Sequence, residues 1–243
     1  GWAEGCDLGA PCPAGTAAVV WSRDSASVDS PVLDVLAGGT ELRPASLGRD
    51  TVLGFDLGQW VEVLDDHREW SGAPGDIRRI DDMVDGTLVL SAAIAVDLRL
   101  TAAQATARHL RVRRWDQSGV VRSSTGTVLT DLTASGASGV IPVPTAASTR
   151  VVLEAGITVS LTAGGGDFRS GDHWIVAARV ADNSVEEITS APPLGVHHHY
   201  ARLGVVTFPD TATDCRTLWP ATCTCQGEGG CSDCTVCVTP ESH

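Results

Sequence analysis

The sequence predicts an all-β chain, and three observations carry that expectation. Short apolar runs rich in β-branched residues recur between Gly, Asp and Pro breaks. One stretch alone reads as a good helix candidate. The 243-residue composition, 43% hydrophobic with a mean hydropathy of +0.07, suffices for a packed core. The expected architecture is a β-sandwich with an inserted small SH3-like β-barrel and a cysteine-rich C-terminal tail. Residues 1–52 and 97–220 form the host sandwich, residues 53–96 the insertion, and residues 221–243 a neck to a downstream domain.

The elements follow in chain order. AAVVWSRDSASVDSPV, residues 17–32, opens as an apolar strand and then turns polar. GQWVEVLDD alternates, with Val61 and Val63 on the cleaner core face and Trp60, Glu62 and Leu64 on the other. GTLVLSAAIAV is a strand entered by a turn at Gly86. Between them, Trp60 and Trp70 are expected as core aromatics of the small barrel, and Gly58, Gly75 and Gly86 as its left-handed turn positions. So small a barrel buries little by itself and is expected to lean on its flanking strands. TAAQATARHL is the helix candidate, with Thr101 as its N-cap. Residues 133–148, small and uncharged with two prolines, read as a loop or extended edge. RVVLEAGITVSL breaks at Ala155-Gly156 into two short strands, and GDHWIVAARVAD and YARLGVVTF add the last ones. Trp21, Trp115 and Trp174 are expected inside strands as core plugs.

Charge narrows the partners. The net charge of −13 disfavours nucleic acid, whose phosphates need clustered cations. The basic cluster RHLRVRR divides its arginines between two faces of a strand, Arg111 and Arg113 against Arg108 and Arg114, and these are expected to be solvated or paired with carboxylates. No apolar run reaches the length of a membrane-spanning helix. Gly1 in place of Met, with no signal-peptide pattern, predicts a fragment or processed product.

No catalytic residue and no cofactor is expected. G-x-S-x-G, H-E-x-x-H, Walker A and helix-opening G-x-G-x-x-G signatures are all missing. In the run His197, His198, His199, Tyr200, two histidines at most share a strand face, too few for a closed zinc site. The pairs Asp65-Asp66 and Asp81-Asp82 read as turn residues, because DDMVDG lacks the remaining oxygens of a calcium loop.

Eight cysteines remain: Cys6, Cys12, Cys215, Cys223, Cys225, Cys231, Cys234 and Cys237. Cys6 and Cys12 bracket a short Pro/Gly loop suited to one bridge. All eight are disulfide candidates, which requires an oxidising compartment. The alternative is zinc held by the tail set Cys223, Cys225, Cys231, Cys234 and Cys237, although its C-x-C start departs from paired C-x2-C knuckles.

Six stretches carry a resemblance as an ordered set: WSRDSASV, SLGRDTVLGFDLGQWVEVLDDHREWSGAPG, VRRWDQ, LEAGITVSL, FRSGDHWIVAARVA and HHHYARLGVV. Together they resemble an uncharacterised bacterial β-rich family, phage-tail-associated or of unknown function, over residues 17–243. In that family a right-handed parallel β-helix often follows, and CTVCVTPESH is similar to the junction before it. The resemblance implies a β-rich structural module presented outside the cell or at the surface of a tail-like particle. With the strand density, the absent catalytic signatures and the junction-like tail, the expected function is a non-enzymatic structural module of an extracellular, phage-tail-like or filament-like assembly, with other subunits or a downstream β-helix as partners and a homo-oligomeric state. Two other functions are kept beside it: a glycan-binding accessory module of a polysaccharide-acting protein, and a zinc-organised cysteine-rich module.

Overall fold

The computed structural model describes residues 16–163, 167–179, 181–194, 203–209 and 211–214. The strands are β1 (Ala18–Val19), β2 (Asp29–Leu36), β3 (Glu41–Pro44), β4 (Trp60–Leu64), β5 (Asp76–Val84), β6 (Thr87–Leu90), β7 (Arg111–Trp115), β8 (Val120–Arg122), β9 (Val128–Asp131), β10 (Ile141–Pro142), β11 (Val151–Val152), β12 (Thr158–Val159), β13 (Ala178–Arg179), β14 (Ser184–Val185), β15 (Gly204–Thr207) and β16 (Thr211–Asp214). Two short helices interrupt them, α1 (Asp66–Ser71) and α2 (Ala102–Ala107). The all-β class is therefore what the chain adopts. No helix among the described residues is long and apolar enough to cross a membrane.

The centre is a closed antiparallel barrel of six strands in the order β2-β3-β6-β5-β4-β7. Closure removes every open edge, because β7 pairs with β4 on one side and β2 on the other. Residues 53–96, expected to form the barrel, supply only β4, β5 and β6; β2, β3 and β7 come from the flanking sequence on both sides. Three strands cannot close a barrel, so the flanking strands complete the wall rather than merely supporting it. Bulges at Val32/Asp34 and Ile80/Asp82 sharpen the curvature that closure needs.

Side chains fill the barrel. Val32, Leu42, Val61, Val63, Ile80, Leu88 and Val112 are buried from the walls, and Leu98, Ala105 and Leu110 join the same core from the connection between β6 and β7. Helix α2 lies in that connection. Thr101 caps it as expected: its Oγ1 accepts from Gln104 N at 3.4 Å, and Gln104 Oε1 accepts from Thr101 N at 3.0 Å. Thr101→Ala is expected to cost about 1 kcal/mol, read as a lower urea midpoint at unchanged slope.

A second core covers the outside of β4. Trp60 and Ile77 pack there with Ala18, Val20, Val121, Leu132, Val140, Ile141 and Val151. The strands that supply this layer pair two at a time: β1 with β10, β8 with β9, β11 with β12. Residues 133–148 contain the two-residue strand β10, whose Ile141 is fully buried. The predicted break at Ala155-Gly156 is the turn between β11 and β12.

The chain falls into two units, Gly1–Val196 and His197–His243. Of the second, the described part is the hairpin of β15 and β16. His197, His198, His199, Tyr200 and all eight cysteines lie outside the described residues.

Candidate functional site

Ionisable side chains concentrate where β4 runs into α1 beside β7. Helix α1 has only six residues and buries none of them, so neither propensity nor an apolar face explains it. Polar contacts hold it. Asp65 is the N-cap, accepting from Arg68 N at 3.0 Å, and Gly72 ends the helix in the left-handed conformation at φ 70°. Arg68 grips Asp97 through two bonds of 2.9 Å and donates to Pro74 O at 2.8 Å. Arg111 of β7 reaches Glu69 at 2.6 Å and Asp66 at 3.6 Å. Asp65 also pairs with Arg108, and Asp66 N donates to Arg108 O at 3.0 Å. His109, at φ 47°, turns the chain from α2 into β7 and places Nδ1 2.6 Å from Asp66 Oδ2. That hydrogen bond, aided by the charges of His109 and Arg111, holds the Asp66 carboxyl below the usual range.

One side chain of α1 points away from all of this. Trp70, expected in the core, is 78% exposed. The correction has a simple cause: residues 66–71 are a short helix held to the rest of the chain through Arg68 and Glu69, and the indole takes part in neither tie. The His67 ring lies beside the indole, with centroids 6.4 Å apart and planes tilted by 31°.

Glu62 sits on β4 itself and was not singled out by its sequence. Its face of β4, shared with Trp60, was set against the cleaner valine face; the second core covers it, and Glu62 is fully buried. Trp115 Nε1 donates to Oε2 at 2.9 Å, and the Arg113 guanidinium stands 3.9 Å away. Oε1 has no hydrogen-bond partner. Burial pushes the carboxyl from the ordinary 4.5 up to about 7; the charges of Arg113 and Arg111, the indole bond and the nearby Gly75 amide offset it only in part. The Gly75 amide favours the charged form without closing a bond of good geometry on Oε1. Gly75 does not have positive φ, unlike Gly58 and Gly86. It is required because a Cβ there would overlap the Glu62 side chain. The legible signal was WVEVL, five residues with apolar side chains on both faces, which marks a strand covered twice.

The remaining predicted positions serve the fold. The arginines of the basic cluster are paired with carboxylates: Arg108 with Asp65, Arg111 with Glu69, Arg113 with Glu62 and Arg114 with Asp116. Arg114 is buried and donates to Val52 O at 2.8 Å and Gly54 O at 2.6 Å, tying down the loop over the barrel end. WSRD and VRRWDQ meet in space: Arg23 N donates to Asp116 at 2.8 Å, and Trp21 N to Gln117 at 3.2 Å. Asp81 pairs with Arg79 at 2.8 Å, and Asp82 accepts from Met83 N at 2.7 Å. Trp115 lies in β7 as expected, while Trp21 and Trp174 are partly buried outside the strands.

Residues 1–229 match the model of a family of unknown function, DUF6519. No curated protein and no solved structure matches the chain.

Proposed function

The chain belongs to DUF6519, a family of unknown function, and from that premise we propose that it is a non-enzymatic structural module of an extracellular, phage-tail-like or filament-like assembly. It packs against further copies of itself and anchors or presents a downstream β-helix. The observation that carries this reading is the hairpin of β15 and β16. Every described residue of it is exposed, including Leu203, Val205, Val206 and Phe208, the last at 87%. Val205 and Val206 are consecutive strand residues, so both faces of the hairpin display apolar surface. A two-stranded hairpin is marginal in water unless more protein covers it. The filled barrel and its paired arginines are consistent with a load-transmitting role, since closed, packed walls resist deformation.

Sedimentation velocity of the full chain tests the reading. Concentration-dependent self-association is expected, and the double variant Val206→Asp/Phe208→Asp is expected to stay monomeric with the wild-type melting profile. A wild-type chain that sediments as a monomer at every concentration would sink the proposal.

A further inference from the structure

We propose that the outward face of α1 is a binding platform for a neutral polysaccharide, with the Trp70 indole as its stacking surface. The proposal stands independently of self-association through the hairpin of β15 and β16.

Two observations lead to it. The indole is displayed rather than buried, although β4, which leads into α1, puts Val63 into the barrel core and Trp60 into the second core. Its nearest helical neighbours, at i−4 and i−3, are Asp66 and His67, so the ring is a single flat apolar surface in a polar frame. A pyranose ring offers the matching chemistry: an apolar C–H face to lie on the indole and hydroxyls around its rim. Protein hot spots instead centre an aromatic residue within a dry apolar surround.

Charge selects the class of sugar. Asp66 is matched by His109 and Arg111, Glu69 by Arg111, and Arg68 by Asp97. These three carboxylates outnumber the two guanidinium groups by one, so the surface around the ring opposes an anionic polymer and leaves a neutral one as the matching class. Carboxylate oxygens and ring nitrogens still have hydrogen-bonding capacity, because each carboxylate accepts at about four sites. His67 and Glu69 are exposed to supply it. The platform is also rigid before any ligand arrives: capped at both ends and held by Arg68 and Arg111, α1 loses little freedom on binding.

Affinity gel electrophoresis of the full chain, through gels containing soluble neutral glucans, mannans or galactans, tests this directly. Retardation by at least one neutral polysaccharide is expected. Trp70→Ala is expected to weaken it by about tenfold or more, the effect of losing a central aromatic contact, and His67→Ala by a smaller factor. Both variants should melt with the wild type, since neither side chain is buried, so lost retardation reports lost binding. Three outcomes each overturn the proposal: no retardation by any neutral polymer, retardation that survives Trp70→Ala, or retardation confined to acidic or sulfated polymers. The sedimentation behaviour of Trp70→Ala should match the wild type, which separates this test from that of self-association.

Discussion

Replacing Glu62 by glutamine is expected to stabilise the protein at pH 8 and to leave it almost unchanged at pH 4. The Glu62 carboxyl titrates near 4.5 in the unfolded chain and at about 7 in the fold, where burial disfavours its charge. A raised carboxyl means that the folded state binds the proton more tightly. The associated stability is fully present below about pH 4.5 and is lost as the pH rises through about 7. At pH 8 that loss amounts to about 3 kcal/mol, from 1.36 kcal/mol for each pH unit of displacement. Glutamine is neutral throughout, keeps an oxygen for Trp115 Nε1, and removes the pH-dependent loss. Urea titrations of both proteins from pH 4 to pH 8 should give curves that diverge between pH 4.5 and 7. Asp66 and Asp97, held low by His109 and Arg68, weaken the fold in acid, but they do so equally in both proteins and cancel in the difference. Parallel curves would show that Glu62 is ionised in the fold at little cost.

Gly139→Ala is expected to be strongly damaging, at about 2–5 kcal/mol. Two costs combine. Gly139 has φ 84°, which an alanine adopts at a penalty of about 1–2 kcal/mol. The added Cβ would also overlap the Trp60 ring and lie 2.6 Å from Ile77 Cγ2, inside the second core, where overpacking costs about 1–3 kcal/mol. Moving the backbone away is no remedy, because Gly139 O accepts from the buried Gln117 Nε2 at 2.8 Å. Gly136→Ala is the control: φ is 76°, but nothing lies within 4 Å of its Cβ position, so only the first cost applies. Equal losses for the two variants would remove the packing argument.

Local signals were legible where they were sufficient. Thr101 and Gln104 define a cap without reference to anything distant, and α2 begins where they place it. Ala155-Gly156 likewise marks its own turn. The errors arose where a second layer decides. Val61 and Val63 were read correctly as core, but alternation alone could not show that β1, β8 and β10 cover the Glu62 face as well. Asp65 and Gly72 bracket six residues with cap chemistry at both ends, a signal for α1 that the apolar pattern obscured, and Trp70 was misplaced with it. The extent of the barrel was hidden for a related reason: the pairing of Asp29 with Arg113 joins residues 84 apart in sequence (113 − 29), and no local pattern reports such a partner.

That last pairing has a consequence for how the chain is made. Strands β2 to β6 can zip in steps between neighbours on an open five-stranded sheet, ordered β2-β3-β6-β5-β4. Its two unsatisfied borders, β2 and β4, wait for the same strand, β7. A ribosome that has released everything before Arg111 therefore holds a nearly complete wall with two sticky borders, the state most prone to joining a neighbouring nascent chain. Delivery of five residues, Arg111–Trp115, converts both borders at once into interior pairs. Rare codons or stalling just upstream of that stretch would lengthen the hazardous interval, and soluble yield should respond to translation speed there more than within the preceding barrel strands.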